Sequence, residues 1–432
     1  MCDRKKTLFL EELQWRGLLQ DKTPGLEDYL AGNDLPVAYV GFDPTAPSLH
    51  IGNLVTIMLL VHFQRHGYKP IALVGGATGM IGDPSGRSDE RQLLSQDALR
   101  HNQQGIRRQL EHFLRFDDSP NSAELLNNYD WTHQFDLLSF LREVGKHISV
   151  NYMMAKDSVK LRLEKGISFT EFSYQLLQAY DYFWLYQNRN CKLQMGGSDQ
   201  WGNITSGTEL IRRKAAGNAF ALVCPLITRA DGSKFGKSSG QNIWLDPQMT
   251  SPYRFYQYWL NTSDEDAIKY IRIFTLLTQE AIEDLSRQHD QAPHLRVLQK
   301  AIAKDVTCRV HSTDAWQAAE EASAILFGRG TTAALHSLSE EDLLSVFDGV
   351  PRHTIPHSRF KQPLSVMELL TAIAPVFTSK AELRRLIQNN GLSLNKEKIT
   401  NPEQPISSSD LLQGKYLLIQ KGKKNYELII LE

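Results

Sequence analysis

The sequence predicts an α/β protein: a first domain built on a parallel sheet with a helical insertion, then an all-helical domain, then a small α+β unit. Three observations predict it. Residues 37 to 76 run as buried strand, helix and buried strand; the chain past Pro252 keeps helical periodicity without strand signals; and the end carries two short apolar runs around a Lys-Gly-Lys-Lys turn. At 432 residues the chain exceeds the size at which a single core keeps growing, so several domains are expected.

Each element follows from local pattern. VAYVGF (37–42) is an unbroken apolar strand, NLVTIMLLVHFQRHG (53–67) a helix stopped by Gly67, and IALVGG (71–76) the next strand. Such a βαβ unit has parallel strands and a right-handed crossover, which makes the domain Rossmann-like. Ligands in such sheets sit beyond the carboxyl ends of the strands, where DPTAPSLHIGN and GATGMIGDPSG both fall. From about 85 to 165 the pattern is mostly helical and charged, and KLQMGG (192–197) and ALVCPLIT (221–228) complete the sheet after that insertion. Ser251 before Pro252 starts the helical block, and Ser263 to Asp266 reads as a capping box. Residues 328–365 lack steady periodicity and read as a connector. In SKAELRRLIQNNG (379–391), Ser379 and Glu382 form a capping box, Leu383, Leu386 and Ile387 share an apolar face, and Gly391 terminates the helix. The expected divisions are 1–245, 246–330, a linker 331–365, and 366–432.

Composition is that of an ordinary soluble globular chain, with 41% hydrophobic and 22% charged residues. A net charge of −1 means that any nucleic-acid contact must come from local basic patches. Cys2, Cys191, Cys224 and Cys308 lie far apart, which suggests neither a structural metal nor a disulfide framework and fits a reducing cytoplasm. The first residues are interrupted by charge, and no run approaches the ~20 apolar residues of a membrane span.

Four groups carry chemistry. His50 and Gly52 stand at a strand-to-helix junction, where unpaired amides and the helix dipole favour phosphate; a plain helix cap is the alternative. In DGSKFGKSSG (231–240), two lysines three apart among glycines and serines could close on an anion or be a solvated turn. Tyr174, Gln178 and Asp181 share a helix face that could be a solvated surface, but they lie inside an aromatic segment, where buried polar groups are more easily explained by a polar ligand. Lys380, Arg384 and Arg385, with Lys396 and Lys398 nearby, form a basic face that fits RNA backbone or solvent equally well.

HIGN resembles the HIGH signature of class I aminoacyl-tRNA synthetases, and KFGKS resembles their KMSKS signature. More narrowly, YVGFDPTAPSLHIGN, VGGATGMIGDPSG, SVNYMMAKDSV, GISFTEFSYQLLQAYD, QMGGSDQWGNI and ADGSKFGKS resemble bacterial tyrosyl-tRNA synthetases in order and spacing. The final unit resembles an RNA-binding module first described in a ribosomal small-subunit protein. The resemblance implies a cytoplasmic homodimer, with residues around 134–172 at the interface. It also implies that tyrosine is activated with ATP, accompanied by Mg²⁺, to tyrosyl-adenylate and pyrophosphate, and then transferred to tRNA(Tyr), whose anticodon region the all-helical domain would bind. By the same resemblance, Tyr39 and Asp181 hold the substrate phenol, Asp83, Tyr174 and Gln178 its ammonium, and Gln200 its carboxylate. Gly41, Asp43, His50, Gly52, Asn53, Asp199 and Lys237 line the ATP site, with Asp199 on the ribose and Gly52 open to the base. Thr45 and His50 meet the γ-phosphate, and Arg87, Arg91, Lys234 and Lys237 close on the pyrophosphate.

Three positions depart from the family pattern. Asn53 replaces the second histidine of HIGH and acts as a neutral donor; Arg87 stands where lysine is common; Val40 stands where cysteine often lies beside the ribose. Competing readings are a tryptophanyl-tRNA synthetase, opposed by Tyr39 with Asp181; an RNA-binding splicing or structural cofactor, opposed by intact Lys234, Lys237, His50 and Asp199; and a small nucleotidylyltransferase, which leaves the later units unexplained.

Overall fold

The computed structural model describes residues 3–85, 94–156, 159–160, 166–233, 235–238, 241–326, 332–347, 350–361, 363–422 and 425–432. It divides into two compact units, one of residues 1–249 and 260–310, the other of 250–259 and 311–432.

The first unit is organised by six strands: β1 (Asp21–Lys22), β2 (Val37–Phe42), β3 (Lys69–Val74), β4 (Glu124–Asn127), β5 (Leu193–Gly197) and β6 (Phe220–Cys224). They lie in the order β1-β6-β5-β2-β3-β4, with only β1 antiparallel to its neighbour. β2, β3 and β5 are buried almost throughout, as expected of parallel strands covered on both faces. Because β2 pairs with β3 on one side and β5 on the other, the chain reverses its winding there, and the crevice beyond β2 and β5 is where such sheets hold ligands.

The longer helices of this unit are α1 (Asp3–Arg16), α2 (Ile51–Arg65), α3 (Gln96–Phe113), α4 (Phe169–Arg189) and α5 (Trp201–Ala215). α6 (Pro252–Leu260) falls almost wholly in the second unit, and the first resumes with α7 (Asp264–Phe274), α8 (Gln279–Gln291) and α9 (Val297–Val310). α2 packs on β2, β3 and β5 and also meets α1, α3 and α7, so it is apolar nearly all round. Met58, Leu59 and Leu60 are fully buried, each contributing about 1.5–3 kcal/mol relative to exposure.

The stretch expected to be mostly helical between 85 and 165 also contains β4, parallel to β3. All four residues of β4 are half-exposed, so the apolar run that marks a buried strand is missing. Ser263 caps α7 through the Asp266 N–H at 3.1 Å, but the second half of the expected box is not made. The Asp266 carboxylate instead accepts from the Ala230 N–H at 3.0 Å.

In the second unit, α10 (Thr313–Leu326) and two short helices, Thr332–Ser337 and Glu340–Val346, precede β9 (Arg352–Ile355). A five-stranded sheet has the order β12-β11-β14-β15-β9, formed by β11 (Leu392–Leu394), β12 (Glu397–Lys398), β14 (Tyr416–Lys421) and β15 (Asn425–Leu431) with β9. A separate pair joins β10 (Leu364–Ser365) to β13 (Pro405–Ile406). The segment 331–365, read as a connector, thus holds helices and an edge strand parallel to β15. β9 has one paired neighbour and little burial, so no alternation announces it.

α11 (Lys380–Gln388) buries Leu383 and Ile387 against this sheet's core. Its cap is again half a box: Ser379 accepts from the Glu382 N–H, while Glu382 turns back to Thr378. Asn390, not Gly391, takes the left-handed conformation after the helix, at φ 50°. Gly391 leaves room for Leu386, whose Cδ1 would lie 2.5 Å and whose carbonyl oxygen 3.2 Å from a Cβ there. β14 and β15 form the expected hairpin, with Lys421 opposite Asn425; Lys423 and Lys424 of its turn lie outside the described residues.

Candidate active site

The site is assembled where β2, β3 and β5 end. Gly75 N donates to Phe42 O at 2.9 Å, which brings the two strand ends together. A Cβ on Gly75 would lie 2.1 Å from Asp43 Oδ1, so this glycine makes room for the carboxylate. Asp43 then accepts from Thr78 Oγ1 and from Tyr174 Oη, both at 2.7 Å. Burial, followed by the Asp43 charge, pushes the Tyr174 phenol well above its usual range and keeps it a donor. Asp43, expected among the ATP residues, therefore ties the β2 end to Tyr174, a residue expected at the amino-acid end.

Tyr39 and Asp181 are 1% and 2% exposed. The Asp181 carboxylate accepts from Asn128 Nδ2 and Trp131 Nε1, both at 2.8 Å. Burial nevertheless pushes its carboxyl up to about 7, against the opposing pull of those two donors. Tyr39, whose phenol is raised by burial and then by nearby Asp181, has a fully buried hydroxyl without a hydrogen-bond partner. A buried orphan hydroxyl is destabilising by about 1–3 kcal/mol, so an arriving polar ligand would relieve it.

A second network starts at Asp83. Its carboxylate accepts from Ser85 N at 2.9 Å, Gln200 Nε2 at 2.6 Å and Asn203 Nδ2 at 3.3 Å. Gln178 Nε2 in turn reaches Gln200 Oε1 at 3.5 Å. Asp199 is half-buried after β5, its carboxyl raised by burial and then by Asp83; a Cβ on Gly197 would lie 2.6 Å from its Oδ1. The two networks set four carboxyl groups, Asp43, Asp83, Asp181 and Asp199, around the crevice as acceptors suited to an ammonium group.

The first turn of α2 is closed by an unusual reciprocal cap. His50 Nδ1 accepts from Gly52 N at 3.0 Å, and Asn53 Oδ1 accepts from His50 N at 3.1 Å. Acceptance at Nδ1 puts the proton of the neutral ring on Nε2, a donor suited to a phosphate oxygen. Gly52 has a reason beyond approach of a base: a Cβ there would lie 2.8 Å from the His50 ring. Asn53 spends its oxygen on the cap, which leaves its amide NH₂ as the donor end.

The two signature segments are joined through Ile243. Ile51 N donates to Ile243 O and Ile243 N to Gly236 O, both at 3.0 Å, while His50 forms an antiparallel bridge with Trp244. Gly236, at φ 89°, requires glycine and lies close to Ile51 and Gly52. Lys237 begins β7 (Lys237–Ser238), paired with β8 (Gln241–Asn242).

The structure thus brings together Tyr39, Asp43, Asp83, Tyr174, Gln178, Asp181 and Gln200, and places His50, Gly52 and Asn53 at the start of α2. Gly41 and Thr45 are exposed, at the end of β2 and in the loop after it. Arg87, Arg91 and Lys234 lie outside the described residues. In the second unit, Lys380, Arg384, Arg385 and Lys398 are exposed; Lys396 is half-buried, with its ammonium on the Tyr426 hydroxyl at 2.5 Å. Sequence reasoning missed Thr78, Asn128, Trp131 and Asn203. Asn128 matters most, since it also accepts from Ala77 N at 2.7 Å and donates to Thr78 at 3.0 Å. It follows β4, in a stretch whose polar pattern resembles a solvated helix.

Comparison with known proteins places this site in a family. The model for class I tRNA synthetases of the W and Y group matches residues 33–328, and that for the tyrosine–tRNA ligase SYY-like C-terminal domain matches residues 342–429. The tyrosine–tRNA ligase of Cytophaga hutchinsonii is 62% identical over 423 residues, covering 98% of this chain and 99% of that one. That of Porphyromonas gingivalis is 59% identical over 429 residues, covering 98% and 100%. A C-terminally truncated mitochondrial tyrosyl-tRNA synthetase of Aspergillus nidulans matches in structure at TM-score 0.68 and 30% identity, covering 74% of this chain and 94% of that one. The tryptophanyl-tRNA synthetase of Plasmodium falciparum, at TM-score 0.52 and 12% identity over 80% and 92% of the two chains, shares the fold. The chain belongs to the class I tRNA synthetases of the tryptophan and tyrosine group, and within it to the bacterial-type tyrosine–tRNA ligases.

Proposed function

We propose that the crevice beyond β2, β3 and β5 carries out the family's reaction through the residues gathered there. The enzyme joins tyrosine to ATP, giving tyrosyl-adenylate and pyrophosphate, and transfers the tyrosyl group to tRNA(Tyr). The observation that carries the assignment of the amino-acid end is the orphaned hydroxyl of Tyr39 near Asp181. A substrate phenol placed there donates to the carboxylate and accepts from Tyr39. Phenylalanine would leave the Tyr39 hydroxyl unsatisfied, forgoing about 1–3 kcal/mol that a phenol gains.

Asp83, Tyr174 and Gln178 hold the ammonium, and Gln200, positioned by Asp83 and Asn203, presents the carboxylate for attack. The nucleophile is already an anion, so no general base is required. Its oxygen forms a bond to the α-phosphorus as the bond to pyrophosphate breaks, and the chain's part is positioning and charge stabilisation. His50 Nε2, the Asn53 amide and Thr45 donate to phosphate oxygens. Lys234, Lys237, Arg87 and Arg91 receive the departing charge, Asp199 holds the ribose, and Gly41, Asp43 and Gly52 shape the surrounding ATP site. Magnesium arrives on the ATP phosphates, whose hard oxygens are its preferred ligands.

Residues 1–245 form the catalytic domain and 246–330 the helices that meet the anticodon region, while the terminal RNA-binding unit starts ahead of 366, since β9 belongs to its sheet. In that unit the exposed Lys380, Arg384, Arg385 and Lys398, with Lys396, meet the tRNA backbone. The enzyme is a homodimer: seven of the fourteen exposed large apolar side chains among the described residues fall between 129 and 169, among them Leu137, Leu138, Val150 and Phe169. Among the described residues no helix is long and apolar enough to cross a membrane, and the buried Cys191 and Cys224 are free thiols, in keeping with a reducing cytoplasm. ATP/pyrophosphate exchange without tRNA tests the reading. Tyrosine supports exchange; exchange driven by tryptophan, or by no amino acid, overturns it.

A further inference from the structure

The second signature segment is fastened to α7 by its aromatic residue. Phe235, which separates Lys234 from Lys237 in sequence, stacks on Phe274 at 5.2 Å between centroids and 11° between planes. Its ring also meets Tyr270 edge-on at 5.1 Å. Both partners are fully buried, so this seat is part of the packed core of α7. Ahead of the segment, Ala230 N donates to Asp266 at 3.0 Å, one turn from the start of the same helix. Next to Phe235, Gly236 passes its carbonyl to Ile243 and lies against Ile51 and Gly52. The backbone between the two lysines is therefore fixed on one side to α7 and on the other to the start of α2.

α7 is itself tied down at its far end. Arg16 donates to the carbonyls of Arg272 at 2.8 Å, Thr275 at 3.0 Å and Leu277 at 2.9 Å, and Arg309 donates to that of Phe274 at 3.0 Å. A helix held in this way is a fixed platform.

We propose that Phe235 is a positioning residue for tyrosine activation: its seat between Tyr270 and Phe274 sets where the backbone of Lys237, at the start of β7, stands relative to the phosphate-binding start of α2. This rests on the assignment of Lys237 to the pyrophosphate. A displacement of about 1 Å in a charged group that acts in the transition state slows a reaction by roughly 100-fold. Such a loss belongs to kcat and leaves substrate affinity alone.

The test is single-turnover formation of tyrosyl-adenylate by the full chain, comparing Phe235→Ala, Phe235→Leu, Lys237→Ala and the Phe235→Ala/Lys237→Ala pair. Phe235→Ala is expected to slow adenylate formation by about 10- to 100-fold, with the KM for tyrosine held within about twofold. Phe235→Leu, which keeps apolar bulk in the seat, is expected to stay within about threefold of the natural rate. In the Lys237→Ala background, Phe235→Ala is expected to slow the step by less than about twofold more, because it acts through Lys237. Losses that multiply in the pair, a tyrosine KM that rises in step with the lost rate, or an unaltered rate in Phe235→Ala would overturn the proposal. An unaltered rate in Lys237→Ala would instead overturn the lysine assignment, and the positioning role with it.

Discussion

Asp181 ties the chemistry of the site to pH. Its carboxyl is pushed up to about 7 by burial, so below that value the ligand-free site holds it neutral, and above it the anion stands ready to accept from a phenol. Tyrosine is therefore expected to bind about tenfold more weakly at pH 6 than at pH 8, as the ionised fraction falls. In Asp181→Asn this pH dependence disappears and affinity is low throughout, which equilibrium binding of tyrosine by fluorescence or calorimetry would reveal. The sign for stability is opposite. The folded carboxyl keeps a proton that the unfolded one releases near 3.9, so this group's contribution declines as pH rises from about 4 to about 7. Asn53 is informative in another way. Its oxygen caps α2, which leaves the amide NH₂ as its donor end, a division of labour that an imidazole in that place would make differently.

At the scale of elements, the end of α5 carries a local strain with a visible cause. Ala216 sits at φ 47°, a left-handed position that favours glycine, while the glycine of the pair stands one residue later. Gly217 is held there by Tyr186, whose hydroxyl would lie 2.3 Å from a Cβ at 217. Ala216→Gly is therefore expected to stabilise the fold by about 1 kcal/mol, read as a higher midpoint in calorimetry, with the exchange rate unchanged. A lower midpoint would contradict the account of this helix end.

The same scale shows how much was legible beforehand. β2, α2, β3, β5 and β6 were readable because continuous apolar runs bounded by glycine or proline have few other uses. The shared face of Tyr174, Gln178 and Asp181 followed from helical spacing alone. β4 and β9 were not readable, since short, half-exposed edge strands are specified by their neighbours. Asn128 and Trp131 were hidden for a related reason: their importance lies in contacts about fifty residues away in sequence with Asp181. The capping boxes were half right, because Asp266 and Glu382 found other partners once the chain was folded.

At the scale of the molecule, the β2/β5 reversal places the site, and the glycines at 52, 75, 197 and 236 let side chains and backbone close around it. The fold is shared with tryptophan enzymes, so the choice of amino acid must rest on the few polar groups that meet its side chain. The most direct test of that claim is the ratio of kcat/KM for tyrosine over phenylalanine in ATP/pyrophosphate exchange, compared between the natural chain and Tyr39→Phe. Loss of the Tyr39 hydroxyl weakens the grip on tyrosine, which alone relieves that orphan, and leaves the grip on phenylalanine little changed. The ratio is expected to fall by about 1–3 kcal/mol, roughly 5- to 150-fold, with the KM for ATP unchanged. A ratio that stays within about twofold of the natural value would contradict the reading of Tyr39 and Asp181 as the groups that recognise the phenol.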